Sequence, residues 1–284
     1  MEGSRTRLVR LAILLLWPAL LLMTFAAIPL ALLLRVSVAP PDPNGLWSPG
    51  VTLGSFGALG EREIAGALLY SVVLAVAVAA MSLGLGFPLT YLITRMRRRP
   101  QVVWLVFLLA TLSLSDVLIA FSWQVMLAKR IGLSNIFVWL GLMDEPGSLT
   151  PSNGAVIACL VYLVMPFTVL TLYPGLSRLN RELVEAARTL GASPLRSFFS
   201  VVIPIAKGPS MIAFLMSAVL TLGAYVPPMV LGRPQYWTMA VLVGTTALSG
   251  HNLSRASAMS LSLLGVTVLL AVVTAQVARG RKTR

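Results

Sequence analysis

The sequence has one cysteine, one histidine and only nine acidic side chains in 284 residues. A lone thiol, Cys159, forms no internal disulfide, and it lies inside an apolar run with no metal-ligating partner near it in sequence. His251 alone excludes multi-histidine metal centres. Any nucleophile and base pair would rest on that one residue, beside Ser249 and Gly250 in a short polar stretch, and no triad-like set accompanies it. Charge of either sign is scarce: 11% of residues are charged against 57% hydrophobic. A chain of that composition, with its apolar residues in long runs, is not a water-soluble domain. No cofactor, no metal and no catalytic residue are expected.

What the sequence does have is six apolar runs, at about 11–34, 64–94, 102–127, 153–176, 207–226 and 255–278. Each is close to the roughly 20 residues that a helix needs to cross a bilayer core about 30 Å thick. The expectation is an all-α membrane protein, a single transmembrane domain over 1–284 with six spanning helices. The first run follows Arg5, Arg7 and Arg10, as in a secretory leader. It exceeds the roughly 7–15 apolar residues of a cleavable leader, so it reads as an uncleaved span.

The net charge of +13 raises nucleic acid as a partner, and the placement of the charges excludes it. The basic residues cluster at the ends of apolar runs, with no stripe interleaved with aromatics. Arg5, Arg7, Arg10, then Arg95, Arg97, Arg98, Arg99, then Arg178, Arg181, Arg188, Arg196, Lys207, and finally Arg279, Arg281, Lys282, Arg284 fall on one side. That makes 16 of the 22 basic residues. By the positive-inside rule this side is cytoplasmic, and both termini are there. Membrane lipid is the surrounding medium.

Three stretches interrupt the runs. Residues 35–63, with Pro40, Pro41, Pro43, Gly45, Pro49 and Gly50, read as turns and extended chain. Residues 131–142 are apolar but too short to span, and read as interfacial or re-entrant. Pro227, Pro228, Gly232 and Pro234 break the backbone at membrane depth, where it must be buried or line a watery cavity, so this segment is a candidate wall of a pathway. The piece that follows, 237–248, reads as a short helix. Within the second run Ala75, Ala79, Gly84 and Gly86 permit close helix approach, and Pro88 is a candidate kink.

The largest cytoplasmic loop, 177–206, begins SRLNRELVEAARTLGASPLRSFFSVVIPIA. Its chemistry predicts two short helices: Asn180 caps the first, Gly191 supplies a left-handed stop, Ser193 and Pro194 start the second, and Pro204 ends it. On the first helix Leu183, Ala186, Ala187 and Leu190 share one small apolar face, edged by Glu182, Glu185 and Arg188. Such a face suits a groove in a partner protein.

Glu185, Ala186, Ala187 and Gly191, followed after nine residues by Val201, Ile203 and Pro204, resemble the EAA loop of bacterial binding-protein-dependent ABC importer permeases. Val201 and Ile203 stand where that pattern has Ile and Leu. The segments LWSPGVTLGSF, LLYSVVLAVAVAAMSLGLGFPLTYLITR and LGAYVPPMVLGRP are similar to the spermidine/putrescine branch, which also has relatives for opines, phosphonates and ferric iron. The resemblance implies a type I importer permease of MetI-like fold in the bacterial inner membrane. It further implies a second, related permease, two copies of an ABC ATPase subunit and a periplasmic solute-binding protein, in a heteromeric complex that imports polyamines or a similar small solute. It implies that Glu185, Ala186, Ala187, Gly191 and Pro204 couple the chain to the ATPase. No GxxxxGKS/T phosphate loop is present, so nucleotide hydrolysis belongs to another chain.

An ion-coupled secondary transporter or channel is the alternative. Such proteins carry several intramembrane ionisable groups, and here Asp116 stands alone within an apolar run. Two readings of Asp116 are open. It faces a solute path, where Trp123, Tyr162 or Tyr225 add cation–π contacts, or it caps a helix restart after the serines at 113 and 115.

Overall fold

The computed structural model describes residues 2–40, 48–129, 133–141, 145 and 147–279, and every regular element among them is helical. Pro41, Pro43, Gly45 and the ends of the 131–142 stretch lie outside the described residues, as do Arg281, Lys282 and Arg284. The chain divides into two compact units, Met1–Ile64 with Val243–Ser262, and Ala65–Leu242 with Leu263–Arg284.

In the first unit, α1 (Glu2–Ser37) runs through Pro18 and Pro29. It leaves Trp17, Leu22, Met23 and Phe25 exposed, which is costly in water and neutral in lipid. After it the proline-rich connector makes a turn, Gly54–Gly57, and a 3-10 turn, Ala58–Gly60. Glu61 then forms an ion pair with Arg255.

The second unit is built around α6 (Asn153–Ser177), started by Ser152, whose hydroxyl accepts from the Ala155 N–H. Over half of its most apolar window, 56%, is buried, against 39% for α2 (Arg62–Arg95). A helix apolar on all sides belongs in the middle of a bundle, and α6 packs against α3 (Arg98–Leu112), α4 (Asp116–Met126), α9 (Lys207–Leu222) and the short α10 (Val226–Leu231). On α2, Ala75 and Ala79 are fully buried against Ala218 and Leu222 of α9. Gly86 faces Thr168 so closely that a Cβ would lie 3.2 Å from its methyl group, whereas Gly84 faces open space. α2 continues through Pro88 to Arg95. Thr168 of α6 and Ser217 of α9 share a buried hydrogen bond of 2.8 Å, an interhelical polar tie of the kind that holds apolar bundles in register. The remaining elements are α5 (Leu133–Trp139), α7 (Arg181–Thr189), α8 (Pro194–Ile205), α11 (Met239–Leu248) and α12 (Leu253–Arg279).

Among the described residues, four helices, α1, α2, α6 and α12, are long and apolar enough to cross a membrane, and the total is six when two bent pairs each count as one span. The expected third span, 102–127, is one of those pairs: α3 and α4 meet at 92°. Ser113 ends α3, and Ser115 caps α4 by accepting from the Val117 N–H. The other pair is α8 and α9, bent by 74° at Ala206. At its other end α9 stops at Leu222, capped by Gly223, rather than running to 226, and Tyr225 lies beyond it.

The C-terminal end of α6 and the N-terminal end of α9 approach closely. A Cβ on Gly175 would fall 2.3 Å from Pro209 Cγ, and a proline ring cannot swing away. Gly175→Ala should therefore force the two helices apart at a cost of about 1–3 kcal/mol. Thermal unfolding of the purified protein, followed by loss of monodisperse material, should shift down by several degrees; an unchanged midpoint would show that α6 and α9 are not packed this closely.

Candidate functional site

The loop that follows α6 folds as a helical hairpin fixed by its own caps. The Asn180 side chain accepts from the Glu182 N–H at 3.0 Å and donates to the Glu182 carboxylate at 3.1 Å. At the far end of α7, the Ala192 N–H bonds to Ala187 O and the Gly191 N–H to Arg188 O, both at 3.0 Å, with Gly191 at φ +88°. This is the paired-bond stop that a left-handed residue creates. Ser193 then caps α8, accepting from the Arg196 N–H at 3.2 Å, with Pro194 in the first turn.

Pro204 does not end α8. The chain makes a π-helical turn over Phe198–Val202 and runs on through Pro204 to Ile205. A wide turn accommodates a proline whose ring would clash with the carbonyl four residues back, and the break comes two residues later at Ala206.

The hairpin is anchored on one side and open on the other. Val184, 5% exposed, packs into a cluster with Phe87 of α2, Leu172 and Leu176 of α6, and Val202, Ala206 and Ala213. Phe198 is wedged edge-on between Phe87 and Tyr91, with ring centroids 5.6 and 5.2 Å away. Of the expected apolar face, Leu183, Ala186 and Leu190 are exposed, Leu190 by 88%, while Ala187 is partly buried; Glu185 is also exposed. Leu195 and Phe199 of α8 are exposed too. Sequence spacing missed Val184, the residue of α7 that is buried against the bundle, and missed the exposed Leu195 and Phe199 of α8. The signal for Val184 was its three-residue spacing to Ala187.

A second site lies elsewhere along α6. Asp116 stands at the first turn of α4, where the positive end of the helix dipole favours a carboxylate. It lines two cavities. One, of about 420 Å³, is walled by Leu163 and Phe167 of α6, Leu220 of α9 and the broken segment Ala224–Pro227, including Tyr225. The other, of about 180 Å³, shares Asp116, Leu163, Phe167 and Leu220 and adds Thr111 and Tyr162. Of the expected wall residues after α9, Pro227 lines the larger cavity, whereas Pro228, Gly232 and Pro234 line neither. Asp116 has no cationic side chain in ion-pair range among the described residues. Of the aromatic candidates, Tyr225 shares the larger cavity with Asp116 and Tyr162 the smaller one; Trp123 lines neither, and stacks 6.1 Å from Tyr162. The helix restart expected at Asp116 is present, but Ser115 is its cap. From Val164 beside the cavity to Leu176 beside the hairpin, α6 runs roughly 18 Å at 1.5 Å per residue, so one helix touches both sites.

Among known proteins, residues 82–280 match the family model described as binding-protein-dependent transport system inner membrane component. The spermidine/putrescine transport system permease protein PotB of Escherichia coli is 28% identical over 192 residues, 68% of this chain and 70% of that one. PotB of Haemophilus influenzae is 27% identical over 254 residues, 88% of this chain and 87% of its own. A bacterial ABC transporter involved in the import of the acidic polysaccharide alginate superposes with a TM-score of 0.78 over 99% of both chains at 14% identity. The MetNI methionine ABC transporter gives 0.55 over 78% of this chain and 98% of its own, at 16% identity. These structures establish the fold, a permease bundle of bent and straight helices. The match over 82–280 takes in α6, the hairpin and both cavities: the chain belongs to the binding-protein-dependent transport system inner membrane components, the permease subunits of type I ABC importers.

Proposed function

We propose that this chain forms half of the solute pathway of an ATP-driven importer, that it docks onto a separate ATPase through the α7–α8 hairpin, and that its solute is a small organic cation of the polyamine class. The observation that carries the coupling role is the two-sided hairpin. Val184 and Phe198 lock its inner face to α2 and α6, while Leu183, Ala186, Leu190, Leu195 and Phe199 present an open apolar face. Exposed apolar surface of that extent, on a polar-edged helix outside the bundle, marks a protein interface. Glu185 and Gly191 would act there as edge contact and stop, and Pro204 as part of the stem that ties the hairpin to α9. Closure of an ATPase dimer would move the hairpin as a rigid body and, through α6, open the Asp116 cavity to the other side of the membrane.

The solute class is supported by the polyamine relatives and by an acid at the wall of two cavities. A carboxylate facing a cavity within a membrane bundle calls for a cationic partner, and Tyr225 and Tyr162 offer ring faces beside it. Both termini would be cytoplasmic, on the same side as the hairpin, as the basic residues direct. A second permease, two ATPase subunits and a periplasmic binding protein would complete the machine.

Labelled putrescine and spermidine uptake, measured in cells with and without the gene for this chain, tests the solute class. Uptake should fall to background on deletion, return with the intact chain, and be outcompeted by unlabelled polyamine but not by neutral amino acids. Unaffected polyamine uptake on deletion would remove the polyamine assignment.

A further inference from the structure

We infer that the tight turn joining α2 to α3 is a binding site for the phosphate headgroup of an anionic phospholipid. Four arginines, Arg95, Arg97, Arg98 and Arg99, occur in five residues there. Arg95 is accounted for within the fold. It lies in the last turn of α2, where the helix dipole favours a cation, and its guanidinium sits 4.9 Å over the Tyr91 ring. The other three have no such explanation. They are exposed, and among the described residues none is in ion-pair range of a carboxylate.

Their position is also electrostatically unfavourable. Arg97 is the N-cap residue of the 15-residue α3, and Arg98 and Arg99 open its first turn ahead of Pro100, at the positive end of the helix dipole, with no side chain capping the N–H groups of Arg98 and Arg99. Cations at that end repel the helix, and an anion there relieves both the dipole and the guanidinium charges. The positive-inside rule requires basic residues on this side of the membrane but does not require three of them on an uncapped helix start.

The turn is held ready by its own hydrogen bonds. Met96 N–H and Gln101 Nε2 both donate to Ile93 O at 3.2 Å. Directly along α3 from the arginines, Val103 and Phe107 are exposed and one helical turn apart, a strip suited to acyl chains. A ligand that is anionic at one end and apolar along its length fits a charged turn continuous with an apolar helix face, whereas a free anion would use the arginines alone.

The test is lipid retention by the transporter assembled from the full chain and its partner subunits, purified in detergent and offered equal amounts of phosphatidylglycerol and phosphatidylcholine, with bound lipid counted by native mass spectrometry. Each basic residue at a surface gives roughly a fivefold preference for anionic lipid. Wild-type protein should retain phosphatidylglycerol at least several-fold over phosphatidylcholine. The triple change Arg97→Gln, Arg98→Gln, Arg99→Gln should abolish that preference, and the corresponding triple Lys change should keep most of it. If the triple Gln protein does not insert, Arg98→Gln and Arg99→Gln singly should each weaken the preference. Equal retention of the two lipids by wild type, or an undiminished preference in the Gln variants, overturns the inference. So does displacement of phosphatidylglycerol by millimolar inorganic phosphate at constant ionic strength, which would make the turn a free-anion site.

Discussion

Gly191→Val should reduce ATP-driven uptake by more than tenfold while leaving the protein in the membrane at wild-type levels. The expectation follows from backbone geometry rather than crowding. Gly191 sits at φ +88°, and a Cβ at that position would meet no atom within 4 Å. A valine therefore has space but not the conformation: the left-handed region costs a β-branched residue about 1–3 kcal/mol. That cost is comparable to what the two closing bonds of the stop contribute, so the turn between α7 and α8 should reorganise and the exposed face should lose its fixed direction. The rest of the hairpin, held by Val184 and Phe198, tolerates the change, which is why insertion should survive. Gly191→Asn separates strain from side-chain volume, because asparagine adopts left-handed backbone readily. It should retain most of the uptake. ATPase stimulation by this permease should fall with uptake in Gly191→Val. Wild-type uptake and stimulation in that variant would remove the hairpin from the coupling role.

The second large effect is expected at Asp116. Asp116→Asn keeps the shape of the side chain and does not touch the cap of α4, which Ser115 provides through its bond to the Val117 N–H. The only structural loss is one favourable charge at the helix start, about 0.3–1 kcal/mol. Stability and assembly should therefore be nearly unchanged. Transport of a divalent or trivalent amine should fall by roughly tenfold or more if the carboxylate meets the cation in the cavity, since one desolvated charge-assisted contact contributes about 1.5–3 kcal/mol. Asp116→Glu should restore part of it. The readout that a merely structural acid would not move is selectivity: the loss should be larger for spermidine than for a monoamine taken up by the same system. Equal uptake of polyamine by wild type and Asp116→Asn would assign Asp116 to the helix start alone.

What was legible in the sequence was local chemistry. Asn180, Gly191, Ser193 and Pro194 act through bonds spanning three to six residues, and the caps they predict are the caps the structure contains. The apolar runs gave the helices of the bundle for the same reason. The break between α3 and α4 was only half legible. The serines at 113 and 115 were visible, but three polar residues hardly alter the mean hydropathy of a 26-residue run, and the 92° bend depends on how α4 packs against α6 and α10. Pro204 misled because the local rule ends a helix at proline, whereas a π turn upstream carries the chain through it. Of the two cavities, only the broken segment after α9 was legible in the sequence, as a candidate wall. Their walls combine α3, α4, α6, α9 and the residues after Gly223, so the pairing of Asp116 with Tyr225 and Tyr162, and the absence of Trp123 from both walls, is a consequence of tertiary packing.

Direct measurement of the driving force bears most closely on the whole account. The chain, reconstituted in liposomes with its partner permease, ATPase subunits and solute-binding protein, should accumulate labelled polyamine only when ATP is supplied on the face that carries the α7–α8 hairpin. Accumulation should be unaffected when proton and sodium gradients are collapsed. Uptake by liposomes lacking the ATPase, driven by either gradient, would contradict the account and make the chain an ion-coupled transporter.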